Sequence, residues 1–330
     1  MTIQNIHHIT AITADPQRCI AFYTGVLGFR MVKKTVNHDD PTAYHLYFGD
    51  RVGSPGTIIS FFAWPDLPPG MVGTGQATAI SLRVPKGSLE YWEDRFKKLE
   101  IENLGILSHL GEDHLTFEDM DGLLLRLVEL DITTDPPAQY QFWADGSIPE
   151  AFAIRGIHGV RLASAEPTQT QEFLENEFSM QLQEEDANLK RFSGRPPAQE
   201  HGQNSTQAQI YFQTENHLPQ GTMGAGTIHH VAWIVQPDSK SQSGNALNLE
   251  DPRNEVIAAG LRPSPVIDRT YFRSVYFHEP GGILFELATT EPGFLVNEPE
   301  DKLGTTLVLP PHLEDQRTEI ESRLPPLKLL

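Results

Sequence analysis

The chain is short of cysteine, of long apolar runs and of positive charge, and each shortage excludes a class of protein. Cys19 is the single cysteine, so no disulfide can form within the chain, and we expect a reducing cytoplasm as its home. No apolar run approaches the ~20 residues that a membrane-spanning helix needs. Residues 1–5 carry neither the basic nor the apolar part of a secretion signal, so we expect no export and no membrane attachment.

The charge of the chain and the motifs that it lacks exclude further classes of protein. Acidic residues outnumber basic ones by 44 to 25, and the net charge is −19. Such a chain repels the phosphates of nucleic acids and of anionic lipids, so neither is an expected partner. The sequence has no glycine-rich phosphate loop, no zinc-type cysteine pattern and no nucleophile elbow.

An internal repeat organises the chain. Four similar segments are typical of the first strand of a repeated unit, at 6–12, 77–84, 157–163 and 228–234. A turn and a candidate helix follow each of them, at 17–26, 88–99, 168–178 and 253–259. A strand-rich stretch then closes each unit, at 57–64, 123–130, 208–214 and 283–288. The pattern predicts an α+β protein made of four βαβββ modules.

The length of 330 residues suits two domains better than one core. We predict an N-terminal domain over 1–135 with modules one and two, and a C-terminal domain over 154–292 with modules three and four. The stretch between them, 136–153, is rich in proline and polar residues and is predicted to be a linker. Residues 293–330 are rich in proline and charge, and they are predicted to form an extended tail.

Histidine pairs recur in the first strands of the first and last modules. His7-His8 and His229-His230 occupy matching places, and aligning the four strands puts His8 and His230 in one slot, which alanine or glycine fills in the other two modules. Because neighbouring side chains on a strand point to opposite faces, we predict that only one histidine of each pair faces a given ion. Glu286 lies within an apolar closing strand, where a carboxylate needs a cation or a raised pKa.

These residues together predict a metal site. Two histidines and one carboxylate on strands form the smallest set that holds a catalytic ferrous ion and leaves coordination positions open. Ser60 and Arg126 stand where the last module has Glu286, and the position in the third module is unclear. We therefore predict one site per chain, shared by the first and last modules and built from His8, His230 and Glu286. Mn(II) accepts the same ligands as Fe(II).

Simpler interpretations of these residues stay open at this point. A histidine on a strand is usually a core or surface residue, and Glu286 could pair with Arg269 or Arg273 without any metal. Tyr276 and Arg269 belong to a strand-forming stretch shortly before Glu286. Tyr276 is a candidate to hydrogen-bond an oxygen at the site, and Arg269 is a candidate to balance negative charge there.

The residues described so far make the chain resemble the vicinal-oxygen-chelate superfamily, over roughly residues 3–292. Leu27-Gly28-Phe29 and the runs 44–48 and 53–57 are similar to the four-module ring-cleaving dioxygenases, above all to those that act on para-hydroquinones. The resemblance implies modules that pair into open, cupped β-barrels in two domains. It also implies Fe(II) as the cofactor, and an aromatic diol and dioxygen as substrates.

The resemblance further implies roles for individual residues. It makes His8, His230 and Glu286 the metal ligands, and it surrounds them with His7, Thr10, His229, Arg269 and Tyr276. Two alternatives use the same fold, a glyoxalase-like metal-dependent isomerase or lyase and a non-catalytic binding or resistance protein. Ser60 and Arg126 occupy the places where an isomerase would put a fourth, carboxylate ligand, which favours the dioxygenase. The sequence leaves the ring substituents and the oligomeric state open, a homo-oligomer included.

Overall fold

The computed structural model of the chain describes residues 1, 3–131, 140–194, 207–214, 218–235 and 248–328. Residues 136–139 of the predicted linker lie outside the described residues. The described strands form two mixed sheets of eight strands each, and the described residues also form five α-helices. The predicted α+β fold of cupped barrels is confirmed. Among the described helices, none combines the length and the apolar character needed to cross a bilayer.

Each module has the predicted order of one strand, one helix and three strands. Module one contains β1 (Ile3–Thr13), α1 (Pro16–Ile20), β2 (Arg30–Val36), β3 (Tyr44–Gly49) and β4 (Ile58–Ala63). Module two contains β5 (Gln76–Pro85), α2 (Leu89–Lys98), β6 (Asn103–His109), β7 (Glu112–Glu118) and β8 (Leu124–Leu130). Module three contains β9 (Ile157–Ala163), α3 (Pro167–Asn176), β10 (Gln181–Glu185), β11 (Leu189–Ser193) and β12 (Gln209–Gln213). Module four contains β13 (Ile228–Val235), α4 (Glu250–Ala258), β14 (Ile267–Asp268), β15 (Arg273–His278) and β16 (Leu284–Ala288).

The sheets join modules that are distant in sequence. The first sheet has the order β14-β15-β16-β13-β1-β4-β3-β2, so modules one and four meet where β1 pairs antiparallel with β13. The second sheet has the order β10-β11-β12-β9-β5-β8-β7-β6, and modules two and three meet where β5 pairs antiparallel with β9. The hydrogen-bonded units thus combine one module from each predicted domain. The residue boundaries of those domains stay a prediction.

Alternation along the closing strands separates the core from the concave face of each sheet. Phe285 and Leu287 on β16 are fully buried in the main hydrophobic core, which also contains Phe173 of α3 and Val256 of α4. Because successive strand residues point to opposite faces, Glu286 is turned away from that core. The same alternation holds on β4 and β8. On these three strands one polar residue, Ser60, Arg126 or Glu286, is therefore directed into the cup of its sheet.

A β-bulge interrupts the central strand pair of the first sheet at each histidine pair. On β1, Ile6 pairs with Trp233 and His8 pairs with Ala232, so His7 is an extra residue with no partner. On β13, His229 is the extra residue in the same way. The central pair of the second sheet has matching irregularities at Thr78 and His158. The bulges follow the repeat, and they change the direction of the side chains next to them.

The tail after module four packs onto module one. It contains short helical turns and α5 (Arg317–Arg323), and Leu309, Leu313 and Ile320 are part of the main core. The ammonium of buried Lys33 on β2 forms an ion pair with Glu298. Phe294 packs in a small buried cluster that includes Tyr47 and Phe272. These two aromatic residues also line the site described below, so the tail supports the site from behind.

Candidate metal centre

The three predicted ligands meet at the junction of modules one and four. His8 lies on β1, His230 on the neighbouring β13, and Glu286 on β16, which pairs with β13. The Nε2 atom of His230 is 2.9 Å from Oε2 of Glu286, and Nε2 of His8 is 3.4 Å from the same oxygen. The two Nε2 atoms are 3.4 Å apart. All three residues are buried, and they are the one group of three such residues in the described chain with ligand atoms this close together.

The carboxylate of Glu286 fits a bound cation better than an ion pair with arginine. Its Oε1 accepts a hydrogen bond from the hydroxyl of Ser274, whereas its Oε2 is buried and accepts none. Arg269 donates its hydrogen bonds to Tyr276 and Asp39 instead. An unpaired anionic oxygen inside a protein is costly unless a cation compensates it. The oxygen without a partner is also the one that both imidazoles face, so the donor set suits a divalent metal ion.

Burial keeps the two candidate histidine ligands neutral. Burial, and then the nearby charge of Arg269, lower the pKa of His230 to about 3. Burial also holds the pKa of His8 well below the usual value, although the carboxylate of Glu286 opposes this. A neutral imidazole has a free lone pair on one nitrogen, and metal coordination requires that lone pair.

Each candidate ligand is oriented by the histidine before it. Nδ1 of His7 lies 2.9 Å from Nδ1 of His8, and the same distance separates the Nδ1 atoms of His229 and His230. The prediction that adjacent histidines point to opposite faces is therefore wrong, because each bulge turns both rings to the same side. When Nε2 of a ligand histidine binds an ion, its Nδ1 remains protonated. That N–H group then donates a hydrogen bond to Nδ1 of the neighbouring histidine. His7 in turn forms a hydrogen bond with the backbone of Thr289.

This arrangement predicts that His7 supports metal binding through its acceptor nitrogen. In His7→Phe the ring volume remains but the acceptor is lost, so we expect the metal affinity to fall about 10- to 100-fold. His7→Gln restores an acceptor oxygen and should recover part of the loss. Competition with a chelator of known affinity measures the effect, with His45→Phe as a control elsewhere in the site. Equal metal affinity in His7→Phe and the unaltered protein would contradict the role.

A small pocket opens beside the three residues. It is lined by aromatic and polar side chains from both modules: His8, Asn37, His38, Asp39, His45, Tyr47, Phe62, His230, Arg269, Phe272 and Tyr276. The predicted residues Arg269 and Tyr276 belong to this lining. His7 and His229 do not, because they lie behind the candidate ligands. In the structure these two histidines therefore contact the candidate ligands and do not reach the pocket directly.

Arg269 and Tyr276 form a coupled pair on one wall of the pocket. Nε of Arg269 donates to the hydroxyl of Tyr276 at 3.3 Å, and its Nη2 donates to Asp39 at 3.1 Å. Burial, and then the carboxylate of Glu286, raise the pKa of Tyr276 above its ordinary value. Although burial opposes its charge, Arg269 has a raised pKa because Tyr276 and Asp39 stabilise the guanidinium. The pair presents a protonated phenol and a fixed positive charge.

A hydrogen-bonded chain on the other wall was not predicted. The hydroxyl of Tyr47 lies 3.0 Å from Nδ1 of His45, and Nε2 of His45 lies 3.0 Å from the hydroxyl of Ser60. Ser60 is 2.8 Å from Thr10, the last of the predicted supporting residues. The sequence contains one signal for this chain of hydrogen bonds. His45 and Tyr47 are two residues apart on a strand, which puts both side chains on one face of the sheet.

Comparisons with known proteins show the family to which the chain belongs. The model of the family described as "Glyoxalase/Bleomycin resistance protein/Dioxygenase superfamily" matches residues 5–127. The chain is 38% identical over 324 residues to "Putative ring-cleaving dioxygenase MhqO" of Bacillus subtilis (strain 168), which covers 98% of this chain and 96% of that protein. The chain belongs to this superfamily. Full-length relatives of this kind make it an oxygenase within the family, and the resemblance seen in the sequence is confirmed.

Two further relatives widen the comparison. The chain is 30% identical over 324 residues to "Chlorohydroquinone/hydroquinone 1,2-dioxygenase" of Sphingobium indicum, with 96% of this chain and 95% of that protein covered. The crystal structure described as "putative dioxygenase from Bacillus subtilis subsp. subtilis str. 168" superposes on this chain with a TM-score of 0.87 at 37% identity. The match covers 100% of this chain and 99% of that one. Glyoxalase I from Zea mays, at 13% identity and a TM-score of 0.60, shares the fold.

Proposed function

We propose that this protein is an Fe(II)-dependent dioxygenase that opens the ring of hydroquinone-like aromatic diols. The observation that carries the proposal is the unpartnered Oε2 of Glu286, which faces Nε2 of His8 and Nε2 of His230 at the edge of an aromatic pocket. Relatives of matching length that are named for ring cleavage support it. Three protein ligands leave coordination positions for the reactants.

The pocket walls suit a flat ring with polar substituents. Phe62 and Phe272 offer apolar surface, and Tyr47 adds a third ring beside them. Aromatic side chains pack against a ring by offset or edge-on contacts, which fixes its plane. Asn37 and Asp39 line the same pocket and provide acceptors for a second hydroxyl group. A diol held by both ends would be oriented more firmly than a simple phenol.

The residues around the pocket perform the remaining chemistry. When bound, the ferrous ion supplies redox capacity and open positions that bring an aromatic hydroxyl and dioxygen together. Arg269 stabilises negative charge as it develops on the reactants, because its own charge is fixed by Tyr276 and Asp39. Tyr276 holds a proton on its hydroxyl and can give it to an oxygen of the reacting group. The aromatic walls limit the access of water to the pocket.

Metal reconstitution combined with oxygen uptake tests the proposal. The purified chain is stripped of metal and then loaded with Fe(II), Mn(II) or Zn(II) in the absence of air. We expect one ion per chain, and oxygen consumption with hydroquinone or methylhydroquinone that depends on Fe(II) or Mn(II) and not on Zn(II). Catechol serves as the matched isomer, since it has the same groups at a different spacing.

The outcome also separates the alternative functions. A glyoxalase-like isomerase would convert its substrate without consuming oxygen, and a non-catalytic binding protein would consume none with any ion. Ser60, where an isomerase would carry its fourth ligand, is instead hydrogen-bonded to Thr10 and His45. Absence of oxygen uptake with every diol and every metal would contradict the dioxygenase proposal.

A further inference from the structure

The second sheet repeats the framework of the metal centre with a different set of side chains. On β8, Arg126 pairs with Ser81 of β5, as Glu286 of β16 pairs with Ala232 of β13. Arg126 therefore occupies the place of the carboxylate ligand. The strand register also settles the position left unclear in the third module, since Tyr211 on β12 pairs with Arg161 of β9.

Four side chains of the second sheet share its concave face. Ser81 and Arg126 are register partners, Arg161 and Tyr211 are register partners, and Arg161 lies opposite Ala79 on β5. Register partners point to the same side of a sheet, and so do residues two apart on one strand. The guanidinium of Arg126 stacks over the ring of Tyr211 with its carbon 4.8 Å from the ring centre. We call these four residues the second cup.

Buried hydrogen-bond donors collect in the second cup without acceptors. Arg126 is only 2% exposed, and its Nε and Nη1 atoms have no hydrogen-bond partner. Nε of Arg161 and the hydroxyl of Ser81 are also buried and without a partner. Buried polar groups in proteins are nearly always satisfied, so a cluster of unsatisfied donors indicates an acceptor that the described residues do not supply.

The carboxylate that contacts Tyr211 of the second cup, Glu112, is already in use. Oε1 of Glu112 lies 2.8 Å from Nε2 of His158 and 3.2 Å from Nη1 of Arg191. Its Oε2 accepts a further hydrogen bond from the hydroxyl of Tyr211. Neither Arg126 nor Arg161 forms an ion pair with a described residue. The second cup thus holds two positive charges that no described carboxylate compensates.

We propose that the second cup binds a small oxyanion, a carboxylate or a phosphate group, between Arg126 and Arg161. The guanidinium fork matches the paired oxygens of either group, and the hydroxyl of Ser81 can donate to the same ligand. Burial and then the charge of Arg126 lower the pKa of Arg161, so a bound anion would also relieve the repulsion between the two. A cation would be repelled, and the places of the two metal-binding histidines hold Ala79 and Gly159.

Titration of the full chain with inorganic phosphate and with acetate tests the proposal. We expect saturable binding of at least one of the two at one site per chain by calorimetry, at constant ionic strength set with chloride. In Arg126→Met the affinity should fall about 10- to 100-fold, the loss expected for charged hydrogen bonds. Arg269→Met serves as the control, because it removes the arginine of the metal centre and should leave this binding unchanged. The tighter of the two anions identifies the ligand chemistry.

Thermal unfolding gives a second readout that does not depend on calorimetry. Without added anion, Arg126→Met should be at least as stable as the unaltered chain, because a buried charge without a partner has been removed. The bound anion should raise the unfolding temperature of the unaltered chain and of Arg269→Met, but not that of Arg126→Met. If Arg126→Met does not fold, Arg161→Met takes its place. Binding that is equal in the unaltered chain and the cup variant, or no saturable binding of either anion, would overturn the proposal.

Discussion

Replacing Glu286 by glutamine is expected to remove the metal ion and the oxygenase activity together. The substitution keeps the shape of the side chain but replaces the buried, unpartnered Oε2 by a neutral group. The metal affinity should fall by more than ~100-fold, beyond the ~10- to 100-fold that loss of an outer hydrogen bond costs. Metal content after dialysis against a weak chelator, and oxygen uptake at saturating hydroquinone, measure the two losses.

A stability measurement tests whether this variant is folded. Without metal, Glu286→Gln should unfold at the same or a higher temperature than the unaltered chain, because it lacks an uncompensated buried charge. Added Fe(II) should raise the unfolding temperature of the unaltered chain but not that of Glu286→Gln. Glu112→Gln is a matched control, since Glu112 is a buried glutamate of the second sheet whose contacts are all to protein groups. A Glu286→Gln protein with one tightly bound ion and full activity would refute the ligand assignment.

Replacing Tyr276 by phenylalanine is expected to slow turnover about 100-fold while the metal stays bound. The variant keeps the ring that lies 5.6 Å from the ring of His230, but it loses the hydroxyl that accepts from Arg269. Loss of a positioned proton donor typically costs a factor of about 10² to 10⁴ in rate. The effect should appear in kcat rather than in KM, because the aromatic walls that bind the ring are unchanged.

The control for this prediction is another tyrosine with a hydrogen-bonded hydroxyl. Tyr44 lies on β3, and its hydroxyl donates to the backbone oxygen of Pro325 in the tail, outside the pocket lining. Tyr44→Phe should therefore keep both its metal and its kcat. Stopped-flow oxygen consumption under single-turnover conditions places the slow step of Tyr276→Phe before or after the ring opens. An unchanged kcat in Tyr276→Phe would exclude the hydroxyl from proton transfer.

The repeat made it possible to predict which residues meet in the candidate metal centre. The slot shared by His8 and His230 could be aligned because each first strand has the same alternating pattern, and alternation determines which face a residue occupies. Glu286 was recognisable because a charge inside an apolar strand requires compensation. Arg269 and Tyr276 lie close before it in the chain, so they were within the range that local spacing can address.

The bulges and the second wall were not predictable in the same way. The extra residues at His7 and His229 are defined only by the strand opposite, and so the paired rings on one side could not be inferred from alternation. His45 and Tyr47 reach the pocket because β3 pairs with β4, whose Ser60 completes the hydrogen-bonded chain. The strand with which a segment pairs lies elsewhere in the sequence, and no local pattern identifies that strand.

The amino-acid sequence by itself determined the four modules, their strands and helices, and the three residues offered as ligands, because periodicity and burial are properties of short segments. Only the tertiary structure decided that β1 lies beside β13 and β5 beside β9. That pairing brings His8 to within 3.4 Å of Glu286 across 278 positions of chain, and it leaves Nε and Nη1 of Arg126 buried without an acceptor among the described residues. Contacts between distant segments depend on how whole sheets pack, and packing is selected by the total burial of the chain rather than by any one segment.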